Sequence, residues 1–177
     1  VNYVTELPDH VSFDEGATLG IPGLTAYHSV FADGPVNGKT ILITGGAGAV
    51  GFYATSLASW GGANVLCTVS GDQKAKRALL AGAENVINYK TENVAERVDA
   101  YTKGKGVDRL ITVDFGGDLP WMTSIMRQNS CISAYASDSE KMPTLDFFSF
   151  MRKNIQIRPF ILNSLPQQVL NNARSGI

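Results

Sequence analysis

The chain has 177 residues, 44% of them hydrophobic and 18% charged, with a formal net charge of -1. That length suits one domain with a sizeable core. The near-neutral charge points to neither a nucleic-acid nor a membrane-surface partner, no apolar run is long enough to span a bilayer, and no signal-peptide pattern opens the chain.

Val1 to Leu7 reads as a short strand, ended by Pro8. Ser12-Phe-Asp-Glu15 is a capping-box pattern that opens a short helix. Leu19 to Gly23 is a kinked turn, and Leu24 to Phe31 a second short helix. Ala32 to Gly38 is a polar turn. From Lys39 onward strands and helices alternate. Strand one is Thr40–Thr44, and its helix runs from about Gly48 to Trp60 with Val50, Ala54, Leu57 and Ala58 toward the sheet. Gly61-Gly62 ends that helix. Strand two is Asn64–Val69, followed by a helix over Asp72–Ala81. Strand three is Asn85–Asn88, followed by a polar helix from Glu92 to Thr102. Strand four, Val107–Asp114, is apolar enough to be buried on both faces. A helix from Leu119 to Arg127, strand five at Ser130–Ala136, a loop with a helical turn at Met142–Met151, strand six at Ile155–Phe160 and a last helix at Leu165–Arg174 complete the pattern. Right-handed crossovers between six such strands predict an α/β, Rossmann-type doubly wound parallel sheet in the order 3-2-1-4-5-6, with a ligand crevice above strands one and four.

The chemistry centres on Thr40-Ile-Leu-Ile-Thr-Gly-Gly-Ala-Gly-Ala-Val-Gly51. An apolar strand runs through Gly46-x-Gly48-x-x-Gly51 into a helix, the order a dinucleotide-binding turn requires. In this reading Gly46 permits the tight turn, Gly48 lets a pyrophosphate approach, and Gly51 packs the helix on the strand. Ala49 and Val50 supply N–H groups at the positive end of the helix dipole. After strand two, where NAD binders carry an acid for the ribose hydroxyls, the chain has Val69-Ser70, with Lys74 one helical turn on. A neutral donor and a cation suit a 2′-phosphate, so NADP(H) is the expected cofactor. Lys74 also reads as a solvated helix residue beside Lys76 and Arg77, and Asp72 as a helix cap. Strand four ends in Asp114-Phe-Gly-Gly117, whose glycines leave room for a nicotinamide ribose. Asp114 is either a turn former or an acceptor near the cofactor. Tyr135 and Ala136 either border the nicotinamide or belong to core or rim.

Other patterns fall away. Gly34 to Thr40 has three residues between its glycines where a P-loop needs four, and it precedes its strand. Tyr101-x-x-x-Lys105 has the spacing of a short-chain dehydrogenase pair but comes before strand four, among helix-breaking glycines. No catalytic triad or metal-ligand cluster is evident, so neither a catalytic residue nor a metal site is assigned. Cys67 and Cys131, in apolar runs, are expected to be buried free thiols of a cytoplasmic protein. The chain starts at Val1 without Met and stops soon after a helical pattern, as a domain cut from a longer protein would.

The text of the chain resembles the medium-chain dehydrogenase/reductase superfamily, in particular its zinc-independent quinone-reductase (zeta-crystallin-like) branch. The matching stretches are Leu7-Pro-Asp with Ala17 to Tyr27, similar to a junction between two domains, Ile41 to Gly51, and Lys74 to Tyr89. Ala49 departs from a second adjacent glycine, and the segment after strand four is about one residue shorter than the family's Asp-x-x-Gly-Gly. The resemblance implies that Ser70, Lys74 and Tyr89 surround the 2′-phosphate and adenine of NADPH. It implies that residues 1–31 are the remnant of a catalytic-domain strand with junction helices, and 32–177 the dinucleotide-binding domain. It also implies hydride transfer to a quinone or activated alkene, a small-molecule substrate met through an absent catalytic domain, and a homodimer through strand six, whose Pro159 marks an edge. The competing readings are a zinc-type alcohol dehydrogenase or an enoyl reductase of the same superfamily, and a non-catalytic nucleotide-binding or sensing protein.

Overall fold

The computed structural model describes residues 6–177. Most of the strand expected at Val1–Leu7 lies outside the described residues; Glu6 and Leu7 are not in a strand. The elements are α1 (Phe13–Thr18), a π-helical turn (Leu19–Gly23), α2 (Leu24–Phe31), β1 (Thr40–Ile43), α3 (Ala49–Trp60), β2 (Asn64–Val69), α4 (Asp72–Leu80), β3 (Asn85–Asn88), α5 (Val94–Thr102), β4 (Val107–Thr112), α6 (Phe115–Ile125), β5 (Met126–Ala134), α7 (Phe147–Lys153), β6 (Gln156–Pro159), a 3-10 turn (Leu162–Ser164) and α8 (Gln167–Ser175). The six strands form one sheet in the order β3-β2-β1-β4-β5-β6, every neighbouring pair parallel. The order reverses at β1, which pairs with β2 on one side and β4 on the other, so the switch point lies between β1 and β4.

Side chains of β1 alternate between two cores. Ile41 and Ile43 face a cluster with Ala26 and Val30 of α2 and Ala54 and Ala58 of α3. Leu42 faces the opposite cluster, with Val94 and Val98 of α5, Met122 of α6 and Phe150 of α7. Strands buried on both faces are therefore near-continuous apolar runs, as a central parallel sheet demands. The buried face of α3 is Gly51, Ala54, Thr55 and Ala58, with Val50 and Leu57 only partly buried. Thr55 is tolerated inside because its hydroxyl donates to Gly51 O at 2.8 Å and touches Cys67 Sγ at 3.1 Å. Cys67 and Cys131 are both free and buried, on β2 and β5.

One cation lies fully inside. Arg109 of β4 donates to Val30 O, to Asp33 O at 3.0 Å and to Cys131 Sγ at 3.1 Å. A buried guanidinium is costly without such partners. Here it accepts that cost while satisfying carbonyls at the C-terminal end of α2, where no N–H is left to bond them. Asp33 in turn pairs with Arg158 of β6. The two arginines bind α2 across three strands of the sheet.

Several boundaries differ from the expected ones, each for a local bonding reason. Helix α5 starts at Val94 because Asn93 caps it, accepting from the Glu96 N–H at 3.3 Å, while Glu92 is occupied by the Asn88 N–H at 2.7 Å. β4 stops at Thr112 because the next two amides leave the ladder, Val113 for Thr44 Oγ1 and Asp114 for Thr112 Oγ1, both at 3.1 Å. In place of the loop with a helical turn expected over 142–151, the chain has a helix from Phe147 to Lys153, α7, capped by Asp146 and closed by Asn154 in the left-handed region. Helix α6 begins at Phe115, four residues before the expected Leu119, so Gly116 and Gly117 form its first turn instead of open space beside a ligand. Their amides have fixed partners: Gly116 N–H donates to Ser137 Oγ at 3.0 Å, and Gly117 N–H to Asp114 Oδ1. A side-chain carbon at Gly116 would come within 2.5 Å of Glu140 O, so the space the glycines spare is filled by the 137–140 segment.

The turn from β1 into α3 controls how close the helix lies to the sheet. A Cβ on Gly51 would sit 2.2 Å from Gly45 O, and one on Gly46 would sit 2.5 Å from Cys67 Sγ. The left-handed residue of the turn is Gly45, at φ 66°, one position before the Gly46 expected to make it. Gly46 instead presses the turn onto β2 and donates its N–H to Thr68 O at 3.1 Å. Gly51→Ala is expected to lower unfolding free energy by about 2–3 kcal/mol, because the contact is backbone on backbone and neither side can yield. Gly20→Ala, with open space around it, is the control and is expected to stay within about 0.5 kcal/mol. Urea denaturation midpoints of the two variants check this.

Candidate nucleotide site

The carboxyl ends of β1, β2 and β4 open into a cavity of about 350 Å³. Its floor is the β1–α3 turn, with Gly45, Ala47, Gly48, Ala49, Val50 and Gly51. Gly48 is the N-cap of α3 in extended conformation and offers no side chain to the first-turn amides, so the Ala49, Val50 and Gly51 N–H groups start the helix without a side-chain cap. An uncapped helix start carrying a partial positive charge is an anion cradle. A Cβ on Gly48 would meet Gly45 O at 3.2 Å and narrow it.

The β2 side supplies a cation and two hydroxyls. Ser70 and Lys74 lie one helical turn apart and touch, Lys74 Nζ donating to Ser70 Oγ at 3.0 Å. Tyr89, past the end of β3, is 52% exposed and completes this wall, its N–H bonded to Val69 O at 3.1 Å. No carboxylate lines this part of the cavity. Asp72 is the first residue of α4, whose N-cap is Gly71, so Asp72 does not cap it.

The β4 and β5 side is Val113 and Tyr135. Tyr135 also lines a second cavity of about 760 Å³ beyond β5, together with Phe115, Ala136, Lys141, Ile157 and Phe160, so the two cavities share one wall. Burial, and then the negative charge of Asp118, hold the Tyr135 phenol above its ordinary value, so it stays protonated and able to donate.

Of the ten residues expected at a cofactor, the structure brings eight to one cavity: Gly48, Ala49, Val50, Gly51, Ser70, Lys74, Tyr89 and Tyr135. Gly46 lies beneath the turn against Cys67. Asp114 is outside the lining because it caps α6. Burial would raise its carboxyl, but the Ser139 hydroxyl and amide and the Gly117 amide outweigh that and hold it below the ordinary carboxylate range. Of the two roles open to Asp114, the bonds it makes are those of a turn and cap former. The expected set missed Gly45, Ala47, Thr68, Val69 and Val113. Thr68 could have been found from its position near the end of β2, two residues before Ser70. Val113 becomes part of the wall only because β4 lies beside β1, which no local pattern reports.

Among the described residues no group of three or more His, Cys, Asp or Glu is arranged to hold a metal ion. The two cysteines belong to separate strands, Cys67 against Thr55 and Cys131 against Arg109. His28 packs edge-on against Phe160 at 4.6 Å, and burial, with Arg158 nearby, keeps it neutral more readily than a free imidazole. This donor set does not fit zinc. Tyr101 and Lys105 do not form a catalytic pair either: the Tyr101 hydroxyl donates to Glu84 at 2.6 Å, and burial with that bond pushes it up to about 12.

The zinc-binding dehydrogenase family model matches residues 49–174. The quinone oxidoreductase of Salmonella typhimurium is 39% identical over 120 residues, covering 67% of this chain and 36% of that one. The crotonyl-CoA reductase of Streptomyces avermitilis is 39% identical over 94 residues, covering 51% of this chain and 21% of that one. In structure, the Escherichia coli quinone oxidoreductase complexed with NADPH superimposes with a TM-score of 0.87 at 25% identity, over 98% of this chain and 55% of that one. The chain spans about a third of the length of the curated quinone oxidoreductases it matches. With its sheet order, its uncapped glycine turn and these likenesses, the chain belongs to the zinc-binding dehydrogenase family, within the medium-chain dehydrogenase/reductase superfamily, and is quinone-oxidoreductase-like.

Proposed function

We propose that this chain is the NADP(H)-binding part of an oxidoreductase that delivers hydride to a quinone or an activated alkene. The observation that carries the reading is the Lys74–Ser70 pair on the wall of a cavity whose floor is an uncapped helix start. A pyrophosphate suits the Ala49, Val50 and Gly51 amides, and Gly48 gives it backbone clearance. A 2′-phosphate suits Lys74 Nζ and Ser70 Oγ, with the Tyr89 ring beside them for the adenine. The place where an acid would bind a free 2′-hydroxyl holds Ser70 instead, which favours the phosphorylated cofactor. The solved structures of quinone oxidoreductases with NADPH, similar to this chain over nearly its whole length, support the same cofactor.

When bound, the nicotinamide supplies the hydride, and the organic chemistry is its own. The residues of this chain bind and orient. Tyr135, protonated and shared by both cavities, stands at the nicotinamide end. Val113, Phe115, Ile157 and Phe160 make that end apolar. Hydride transfer to such acceptors depends on orientation and water exclusion, so no acid–base pair is required of this chain. Residues of the complete protein outside this chain close the substrate side. No step is derived through zinc, since the donors here do not fit it. The buried free thiols suit a reducing compartment such as the cytoplasm. β6, the last strand of the sheet among the described residues, offers an edge on which a second copy can pair, with Pro159 limiting the register.

A second reading has one specific observation in its favour, the 39% identity to a crotonyl-CoA reductase. It changes the acceptor to a 2-enoyl thioester and leaves the cofactor site as described.

Three measurements test these readings. Lys74→Ala is expected to raise the Kd for NADPH about tenfold and leave that for NADH unchanged, from the loss of one charge-assisted bond to phosphate; equal effects on both nucleotides would remove the 2′-phosphate role. Steady-state kcat/KM of the full-length protein on a simple quinone is expected to exceed that on a short 2-enoyl thioester, and the reverse ranking would favour the second reading. The molar mass of the full-length protein by light scattering is expected to be that of a dimer; a monomer at all concentrations would remove the strand-six pairing.

A further inference from the structure

One carboxyl group that the function proposed above does not use lines neither cavity, but its charge acts on Tyr135, the residue the two cavities share. Asp118 lies in the first turn of α6, and its Oδ2 accepts from the Thr112 hydroxyl at 2.7 Å. Thr112 Oγ1 also accepts the Asp114 N–H at 3.1 Å and lies 3.4 Å from the Thr44 hydroxyl, which itself takes the Val113 N–H. Both threonines are buried. Thr112 ends β4 and Thr44 directly follows β1, and the residues after them, Val113 and Gly45, line the crevice, so the carboxyl group is tied to the layer just beneath it. The charged and titratable groups that act on it are Asp114, at the start of its own helix, and Tyr135, at the end of β5. Among the described residues no salt bridge reaches it.

We propose that Asp118 sets how strongly this site prefers the oxidised over the reduced nicotinamide, through a negative charge held beside the crevice without a cation partner. The proposal rests on the nicotinamide-nucleotide reading of the site. The two redox forms of the cofactor share their phosphates and adenine. They differ in the ring, which carries one positive charge when oxidised and none when reduced. A nearby anion without a counter-charge acts on that difference, and partial burial keeps water from screening it fully. Asp114 stays ionised and Tyr135 stays protonated through the neutral range, so their contributions are constant with pH. Asp118 is the group that changes: burial, against the bonds from Thr112 and Thr44, pushes it up to about 6. Above that pH it is ionised and favours the cationic ring; as pH falls through it, the charge is neutralised and the preference fades. Titration of the 2′-phosphate, also with a pKa of about 6, weighs equally on both forms and cancels in their ratio.

The test is the ratio of dissociation constants, NADPH over NADP+, for the full-length protein between pH 5.5 and 8, by cofactor fluorescence and calorimetric competition. At pH 8 the ratio is expected to be about three- to tenfold higher in the wild type than in Asp118→Asn. Asp118→Glu, which keeps the charge, is expected to retain the wild-type value. The wild-type ratio falls toward that of Asp118→Asn as pH drops through about 6, while the variant stays flat. Thr112→Val removes a donor that lowers the carboxyl pKa, so it is expected to move the inflection to higher pH, and it decides the matter if Asp118→Asn does not fold. Equal ratios in wild type and Asp118→Asn, a wild-type ratio independent of pH, or an unmoved inflection in Thr112→Val would overturn the proposal. A wild type that binds neither nucleotide would overturn the nucleotide reading itself, and this inference with it.

Discussion

Everything at the carboxyl end of the sheet depends on a contact between two pieces of backbone, the carbonyl of Gly45 and the Cα of Gly51. With 2.2 Å between that oxygen and the place a side-chain carbon would take, α3 can start directly above the end of β1 and point its free amides into the crevice. Glycine in a helix costs roughly 0.5–1 kcal/mol relative to alanine. The burial of Ala54, Thr55 and Ala58 of the same helix, completely removed from solvent, offsets that cost. The same close approach places Gly46 against Cys67 and so fixes the turn relative to β2, which carries Ser70. Anion cradle and cation wall are thus held at a set separation by packing, with no loop between them that could drift.

The other end of the fold is fixed by charge. Arg109 lies where an apolar residue would continue the run of β4, and it is satisfied by one carbonyl in the last turn of α2 and one just beyond it. Replacing it by a hydrocarbon would leave those carbonyls facing an apolar core. Through Asp33 and Arg158 the same network reaches the outermost strand. Helix α2, which contributes Ala26 and Val30 to the core, is therefore held to the sheet by polar bonds as well as by packing, and the segment before it is carried on a rigid support.

What could be read from the amino-acid sequence follows the range of the interactions concerned. Strand order was legible because strands buried on both faces, separated by helices, leave few right-handed arrangements. Ser70 and Lys74 were legible as neighbours because they are four residues apart on a helix start. The first turn of α6 was not, because a Gly-Gly pair has poor helix propensity and its stability comes from Ser137 and Ser139, more than twenty residues away. Asp114 was ambiguous for the same reason: its choice between capping and ligand contact depends on a segment that returns from the far side of β5. Asp118 carried no signal at all. Its interest lies in Thr44, which becomes its neighbour only when β1 and β4 pair, 68 residues apart in the chain.

These elements make the crevice polar in one direction. At the end of β2 stands Lys74, a full positive charge. At the end of β1 stands the start of α3, a partial positive charge of about half a unit. Past the end of β4, outside the cavity lining, stand Asp114 and Asp118, and among the described residues no arginine or lysine is paired to the latter. Charge therefore changes sign across the ends of three adjacent strands, from the wall of the cleft to the layer beneath it, although the chain as a whole is nearly neutral. A ligand that is strongly anionic at one end, anionic in the middle and neutral or cationic at the other can satisfy this gradient in one orientation only, since reversal would bring phosphate against carboxylate. Orientation by such a gradient needs no base-specific contact to the adenine and no hydrogen bond to the ring, which is consistent with the exposed position of Tyr89. It also explains why the glycine turn must be rigid: a floating partial charge in the middle of the gradient would let the ligand settle at either end.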